Sequence, residues 1–275
     1  MSDDAAFDRL VAAIDGQPMM SPEQGRRIWD HFRKTQPELA LDLGTYMGAS
    51  AAYMAGAMRE NGKGRVISID TGQLPDWNEY AISACNAVWD RCGVRDLIEH
   101  IRVPDSYYSW WLLERVAEQT DASGVCEPLY DFAYLDGVKL LNVDGVCTAL
   151  LAQLLKPGGW LLLDDLRWTY EEQPEFQPEV VLGSGARFTL SDAERSTAQI
   201  RAVFDYLVRP NPAYGNLDID FDGWWGWAQR VTDSADVAPT PFAPRPAEPP
   251  RRLPSPTGAP SRLRSALRRY TGGAR

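Results

Sequence analysis

The chain has 275 residues, a formal net charge of −10 and 44% hydrophobic residues, enough for one substantial α/β core with residues to spare. No stretch approaches the roughly 20 consecutive apolar residues of a membrane span. The acidic start Met-Ser-Asp-Asp-Ala-Ala lacks the apolar segment of a secretory signal, so a cytoplasmic protein is expected.

The charge is unevenly spread. Eight arginines and one acid, Glu248, follow residue 236 and give that segment +7, which leaves −17 on the rest. A body that acidic lacks the clustered cations a phosphate backbone requires, which argues against a nucleic-acid partner. Cys85, Cys92, Cys126 and Cys147 form no C-x-x-C pair and read as small buried side chains in a reducing compartment. His31 and His100 are too few for a histidine-rich metal site or a histidine-based triad.

Residues 3–15 alternate like a short amphipathic helix, an N-terminal helical extension over 1–19. Ser21-Pro22-Glu23-Gln24 is a helix start, with a Ser cap, Pro at the first helical position and Gln three residues after the cap. That helix runs to about Thr35, where Pro37 stops it. Strands are predicted at 39–43, 65–69, 97–103, 130–135 and 159–163. Helices are predicted between them at 47–60, 80–92, 107–118 and 143–154, with a turn at Lys156-Pro157-Gly158-Gly159. A loop at 166–189, a helix at 191–208 and a hairpin of 217–221 with 224–231 across Asp222-Gly223 complete a domain spanning 20–236. Short apolar strands alternating with helices imply an α/β, Rossmann-like, doubly wound sheet, mostly parallel, with helices on both faces. The remainder, 237–275, holds nine of the twenty prolines and reads as a disordered Pro/Arg-rich tail. Its residues 261–269 form a basic amphipathic pattern, open to an acidic partner, an anionic surface or plain solvation.

In such sheets ligands sit beyond the carboxyl ends of the strands. The first strand ends in Leu41-Asp42-Leu43-Gly44-Thr45-Tyr46-Met47-Gly48 and leads into a helix. Gly44 and Gly48 allow close backbone approach to a ligand, and the helix start adds positive potential. The G-x-G-x-x-G spacing of a dinucleotide site is missing. The pattern Asp-x-Gly-x-x-x-Gly resembles the first motif of class I S-adenosylmethionine-dependent methyltransferases, and the element order over about 20–232 resembles their plan. The resemblance implies S-adenosylmethionine as cofactor. Asp42, Gly44 and Gly48 would lie at its methionine end and Asp70, ending the second strand, at its ribose. Asp105 and Ser106 would lie at its adenine, although the family's Gly-Asp is Pro104-Asp105 here. On the residues alone, Asp70 is equally open to capping a turn. Trp77 either covers the adenine or packs on the core.

Tyr134-Leu135-Asp136-Gly137-Val138-Lys139 ends one strand, and Asp164-Asp165 ends the next, 28 positions beyond Asp136. Adjacent parallel strands bring these ends together, and three carboxylates so close need a proton or a cation among them. A hard divalent cation, Mg²⁺, suits that set. The region resembles the metal-dependent O-methyltransferases of the catechol and caffeoyl-coenzyme A type, which carry Asp-x-x-Lys after one strand and Asp-Asn after the next. The resemblance implies Asp136, Asp164 and Asp165 as metal ligands and Lys139 as general base, with Asp165 in place of the family's asparagine. Macrocin-type sugar O-methyltransferases also carry acidic clusters here. The acceptor is therefore expected to be a hydroxyl of a small molecule, phenol or sugar, with Trp168 and Tyr170 as pocket walls. Trp224, Trp225 and Trp227 read as hairpin core. Three alternatives stand beside this: Asp164-Asp165 as an ordinary strand end with Lys139 capping a helix, a metal-independent methyltransferase, and a cofactor-binding module without catalysis. The oligomeric state stays open.

Overall fold

The computed structural model describes residues 3–16, 20–71, 78–103, 107–174, 180–181 and 187–231. Trp77, Asp105, Ser106 and the tail 237–275 lie outside the described residues. In chain order the elements are α1 (Asp3–Ile14), α2 (Pro22–Thr35), β1 (Leu39–Leu43), α3 (Ala49–Asn61), β2 (Arg65–Asp70) and α4 (Asn78–Arg91). There follow β3 (Ile98–Arg102), α5 (Tyr108–Gln119), β4 (Tyr130–Leu135), α6 (Leu141–Leu154) and β5 (Leu155–Leu163). A short pair β6 (Val180–Val181) and β7 (Arg187–Phe188), then α7 (Asp192–Ser196), α8 (Gln199–Val203), β8 (Tyr214–Asp220) and β9 (Trp225–Arg230) close the series.

Seven strands form one sheet in the order β3-β2-β1-β4-β5-β9-β8. The first five are parallel, and β9 runs antiparallel to both β5 and β8. This is the expected Rossmann-like sheet with its antiparallel end. The strand sequences are nearly continuous apolar runs because helices cover both faces. Alternate residues therefore enter two cores. Ala40, Val66, Phe132 and Leu162 pack with α1–α4 on one face. Leu41, Ile67, Ala133 and Leu161 pack with α5, α6 and α8 on the other.

Helix α2 begins as its sequence dictates. Ser21 Oγ accepts from Gln24 N while Gln24 Oε1 accepts from Ser21 N, a reciprocal cap worth about 1 kcal/mol. Two regions differ from the sequence reading. The turn at 156–159 lies inside β5 as an irregularity: pairing to β4 shifts between Tyr130 and Phe132, and Gly158 has φ 84°. The single helix predicted over 191–208 is broken into α7, α8 and a π-type turn at Phe204–Val208. Gln199 sits at that break. Its Nε2 donates to Glu194 O and its Oε1 accepts from Leu141 N, satisfying ends of α7 and α6 that would otherwise be bare.

Candidate active site

The carboxyl ends of β2, β1, β4 and β5 lie side by side, and backbone bonds extend the ladder past the strands. Gly44 N donates to Ile69 O at 2.9 Å, Asp136 N to Leu43 O at 2.9 Å, and Asp164 N to Leu135 O at 3.1 Å. Asp70, Gly44, Asp136 and Asp164 thus stand in one row across the sheet. Beneath it, in register, are Ser68, Asp42 and Tyr134.

A cleft partly open to solvent is lined by Met20, Gly44, Thr45, Tyr46, Met47, Ala49, Ser50, Tyr134 and Asp136. Of the predicted site residues, Gly44 and Asp136 line it. Gly44 has φ 113°, and a Cβ on it would lie 2.1 Å from the Asp136 carbonyl oxygen. The close approach that this glycine permits is thus between two strand ends. Gly48, also left-handed at φ 81°, is packed against Trp89, whose Nε1 donates to the Gly48 carbonyl at 2.9 Å. Helix α3 starts at Gly48 with no side-chain cap, so its first N–H groups and positive end remain available at the cleft.

Asp42 lies under the turn rather than in the cleft wall. It is fully buried, accepting from Ser50 Oγ at 3.0 Å and Ser68 Oγ at 2.6 Å. Burial pushes its pKa up to about 7 against the opposing hydrogen bonds of Ser68 and Ser50. Asp70 Oδ2 accepts from Tyr46 N at 2.9 Å and so holds the turn in place, with Tyr46 left-handed at φ 44°.

The folded state therefore holds a proton on Asp42 that the unfolded chain releases above about pH 4. The stability linked to Asp42 is full below about pH 4 and is lost as pH rises through 7, by about 4 kcal/mol for a shift near three units. Asp42→Asn is accordingly expected to raise the melting temperature relative to the parent by an amount that grows from pH 5 to pH 8. Melting curves whose difference does not vary with pH would contradict this.

On the other side, Lys139 Nζ bridges Asp136 Oδ1 and Asp165 Oδ2, the latter at 3.2 Å. Burial works against the ammonium, but Asp136 and Asp165 outweigh it and hold Lys139 protonated. Asp164 is buried, accepting from Tyr134 Oη and, at 2.6 Å, from Asp165 N. Its pKa is pushed well up by burial and by Asp136 and Asp165. That of Asp165 is also raised, by burial and by Asp136, with Lys139 opposing. A proton held among the carboxylates, together with the Lys139 ammonium, relieves the repulsion of three acids so close. Among the described residues, no three His, Cys, Asp or Glu side chains are placed to hold a metal ion. Lys139 and Asp165 both sit at left-handed φ, 62° and 61°, as do Phe221 and Asp222 at the β8–β9 tip. That tip is tied to the loop after β5 by Leu166 N to Trp224 O at 2.9 Å and Arg167 NH1 to Asp222 O at 3.0 Å. Non-glycine residues in this region cost of order 1 kcal/mol each and gather at functional sites.

The structure brings Asp42, Gly44, Gly48, Asp70, Asp136, Lys139, Asp164 and Asp165 to one edge. Sequence reasoning missed Ser50, Ser68, Tyr134 and Asp144. Ser68 and Tyr134 carried a signal, each a polar group two residues before an acid in an otherwise apolar strand. Asp144 Oδ2 accepts from Leu140 N at 2.8 Å, and burial raises its pKa to about 7. Trp168 and Tyr170 do meet edge to face, 4.4 Å apart, and Tyr170 Oη donates to the Val138 carbonyl. Trp225 and Trp227 are buried core, as read.

A family model described as a methyltransferase domain matches residues 41–166, the segment from the β1 strand end to the loop after β5. The match spans less than half of the chain. Several solved structures share the fold. The O-methyltransferase TomG of Streptomyces achromogenes, involved in tomaymycin synthesis and solved with SAM, superposes with a TM-score of 0.53 at 16% identity, over 84% of this chain and 92% of that one. An O-methyltransferase from Bacillus cereus in complex with SAH gives 0.52 at 15%, over 83% and 92%. The SAH-bound Podospora anserina methyltransferase PaMTH1 gives 0.52 at 20%, over 84% and 89%. These likenesses concern fold. No curated protein sequence matches the chain. The matched segment contains both the glycine turn and the acidic trio, and no helix among the described residues is long and apolar enough to cross a membrane.

Proposed function

We propose that the chain transfers a methyl group from S-adenosylmethionine to a hydroxyl of a small molecule. The observation that carries the reading is the shared cleft, in which Gly44, Thr45, Tyr46 and Ser50 face Asp136. The cofactor would supply an electrophilic sulfonium methyl. The cleft fits it: uncapped N–H groups of α3 suit its carboxylate, and Asp70 and Asp136 suit its positive charge. Asp70 is assigned to the ribose diol and Tyr46 and Ser50 to the methionine end. Asp105 and Ser106 keep the adenine role that the resemblance implies.

The acceptor side suits Mg²⁺ by the chemistry of its donors, three carboxylates with hard oxygens at neighbouring strand ends. Asp136, Asp164 and Asp165, which as placed form no three-carboxylate metal site, would have to draw together to hold it, and it would supply Lewis acidity that lowers the pKa of the acceptor hydroxyl. Lys139 is assigned to proton removal, a role open to it only when Asp136 and Asp165 are neutralised by another cation. TomG and the Bacillus cereus protein, both O-methyltransferases by description, support an oxygen acceptor. Lys139 bridging Asp136 and Asp165 favours a second reading, in which its ammonium is itself the cation and no metal is required.

The test is transfer of a labelled methyl group to a panel of phenols, catechols and sugars, with EDTA and with Mg²⁺ restored. Loss in EDTA and recovery with Mg²⁺ is expected. Undiminished transfer in EDTA supports the second reading, and methylation of amines alone, when amines are added to the panel, refutes the hydroxyl assignment.

A further inference from the structure

Tyr134 occupies a strand position that phenylalanine would fill as well, as Phe132 does two residues earlier on the same face. Its hydroxyl is a buried polar group, costly unless bonded, so its partner is informative. In the row beneath the strand ends, Ser68 turns towards Asp42, on the donor side. Tyr134, the neighbour of Asp42 across β1 and β4, turns the other way and donates to Asp164 Oδ2 at the end of β5. Tyr134 is also one of the residues lining the cleft, beside Gly44, Tyr46 and Ser50. The second oxygen of Asp164 is taken by Asp165 N, so Tyr134 and that amide together fix the rotation of the carboxylate. Trp225, 6.2 Å away between ring centres, backs the tyrosine ring.

We propose that Tyr134 is a positioning residue common to both halves of the transfer site: its ring walls the methyl-donor cleft and its hydroxyl holds Asp164 in place for the acceptor. The inference rests on the methyltransferase reading above. It separates the two parts of one side chain. Removing the hydroxyl leaves the donor cleft intact and frees Asp164; removing the ring opens the cleft.

The experiment compares Tyr134→Phe, Tyr134→Leu, Asp164→Asn and the double variant Tyr134→Phe/Asp164→Asn in the full chain. S-adenosylhomocysteine binding is read by calorimetry and methyl transfer on the panel acceptors. Tyr134→Phe is expected to bind S-adenosylhomocysteine within about two-fold of the parent. Its kcat should fall about ten-fold, with KM for the donor unchanged, the usual scale for losing a partner that orients a ligating carboxylate. The double variant should be no slower than Asp164→Asn, because the hydroxyl acts only through that residue. Tyr134→Leu should bind S-adenosylhomocysteine at least about ten-fold more weakly. Parent-like kcat in Tyr134→Phe, losses that multiply in the double variant, or parent-like binding in Tyr134→Leu each overturn the proposal. If the parent methylates no panel compound, the acceptor reading fails, and Tyr134→Leu against Tyr134→Phe in calorimetry still decides the role of Tyr134.

Discussion

Replacing Gly44 with alanine is expected to destabilise the fold by at least about 3 kcal/mol and to abolish donor binding. Two independent effects act at this position. The backbone stands at φ 113°, where side chains other than glycine are strained. The new Cβ would lie 2.1 Å from the Asp136 carbonyl oxygen, a backbone atom that no rotamer change can move. Relief requires β1 and β4 to separate at the edge where the cleft lies. Gly62→Ala is the control, since Gly62 is left-handed at φ 71° with nothing within 4 Å of the added Cβ. It should lose only about 1 kcal/mol. Denaturant unfolding of both variants, with S-adenosylhomocysteine calorimetry, makes the comparison. Equal stability of the two would remove the close approach of β1 and β4 from the account.

Asp136→Asn is expected to lower methyl transfer by about 10² to 10³-fold while leaving S-adenosylhomocysteine affinity within a few-fold of the parent. Asp136 is common to everything on the acceptor side. It holds Lys139, it lines the cleft, and it raises the pKa values of Asp164 and Asp165. Its backbone carbonyl, which packs on Gly44, survives the substitution, so the donor turn should persist. Steady-state rates and calorimetry on the same preparation separate the two effects. A variant that transfers at the parental rate, or one that loses donor binding in parallel, would contradict the assignment.

The sheet was legible because its strands are short apolar runs ending in acids, and burial on both faces requires that pattern. Leu39–Leu43 and Tyr130–Leu135 coincide with β1 and β4 residue for residue. Ser21 and Gln24 announced α2 because a capping box is a local device. The break between α7 and α8 was not legible. It has no Pro or Gly to mark it, and its apparent compensation is Gln199 bonding Leu141, 58 positions away. In the site, the acids could be read from strand ends, but their partners could not. That Lys139 would bridge Asp136 and Asp165, rather than stand neutral beside them, depends on the left-handed turns at 139 and 165, which the residue types do not signal. Likewise the space spared by Gly44 and Gly48 goes to Asp136 and Trp89, contacts set by the crossing of distant elements.

The account stands on the turn from Asp42 to Gly48 being a methyl-donor site. Calorimetric titration of S-adenosylhomocysteine into the full chain tests that most directly. Saturable one-to-one binding, lost in Gly44→Ala and kept in Gly62→Ala, is the predicted result. No binding to the parent at millimolar ligand, or equal binding by both glycine variants, would contradict it.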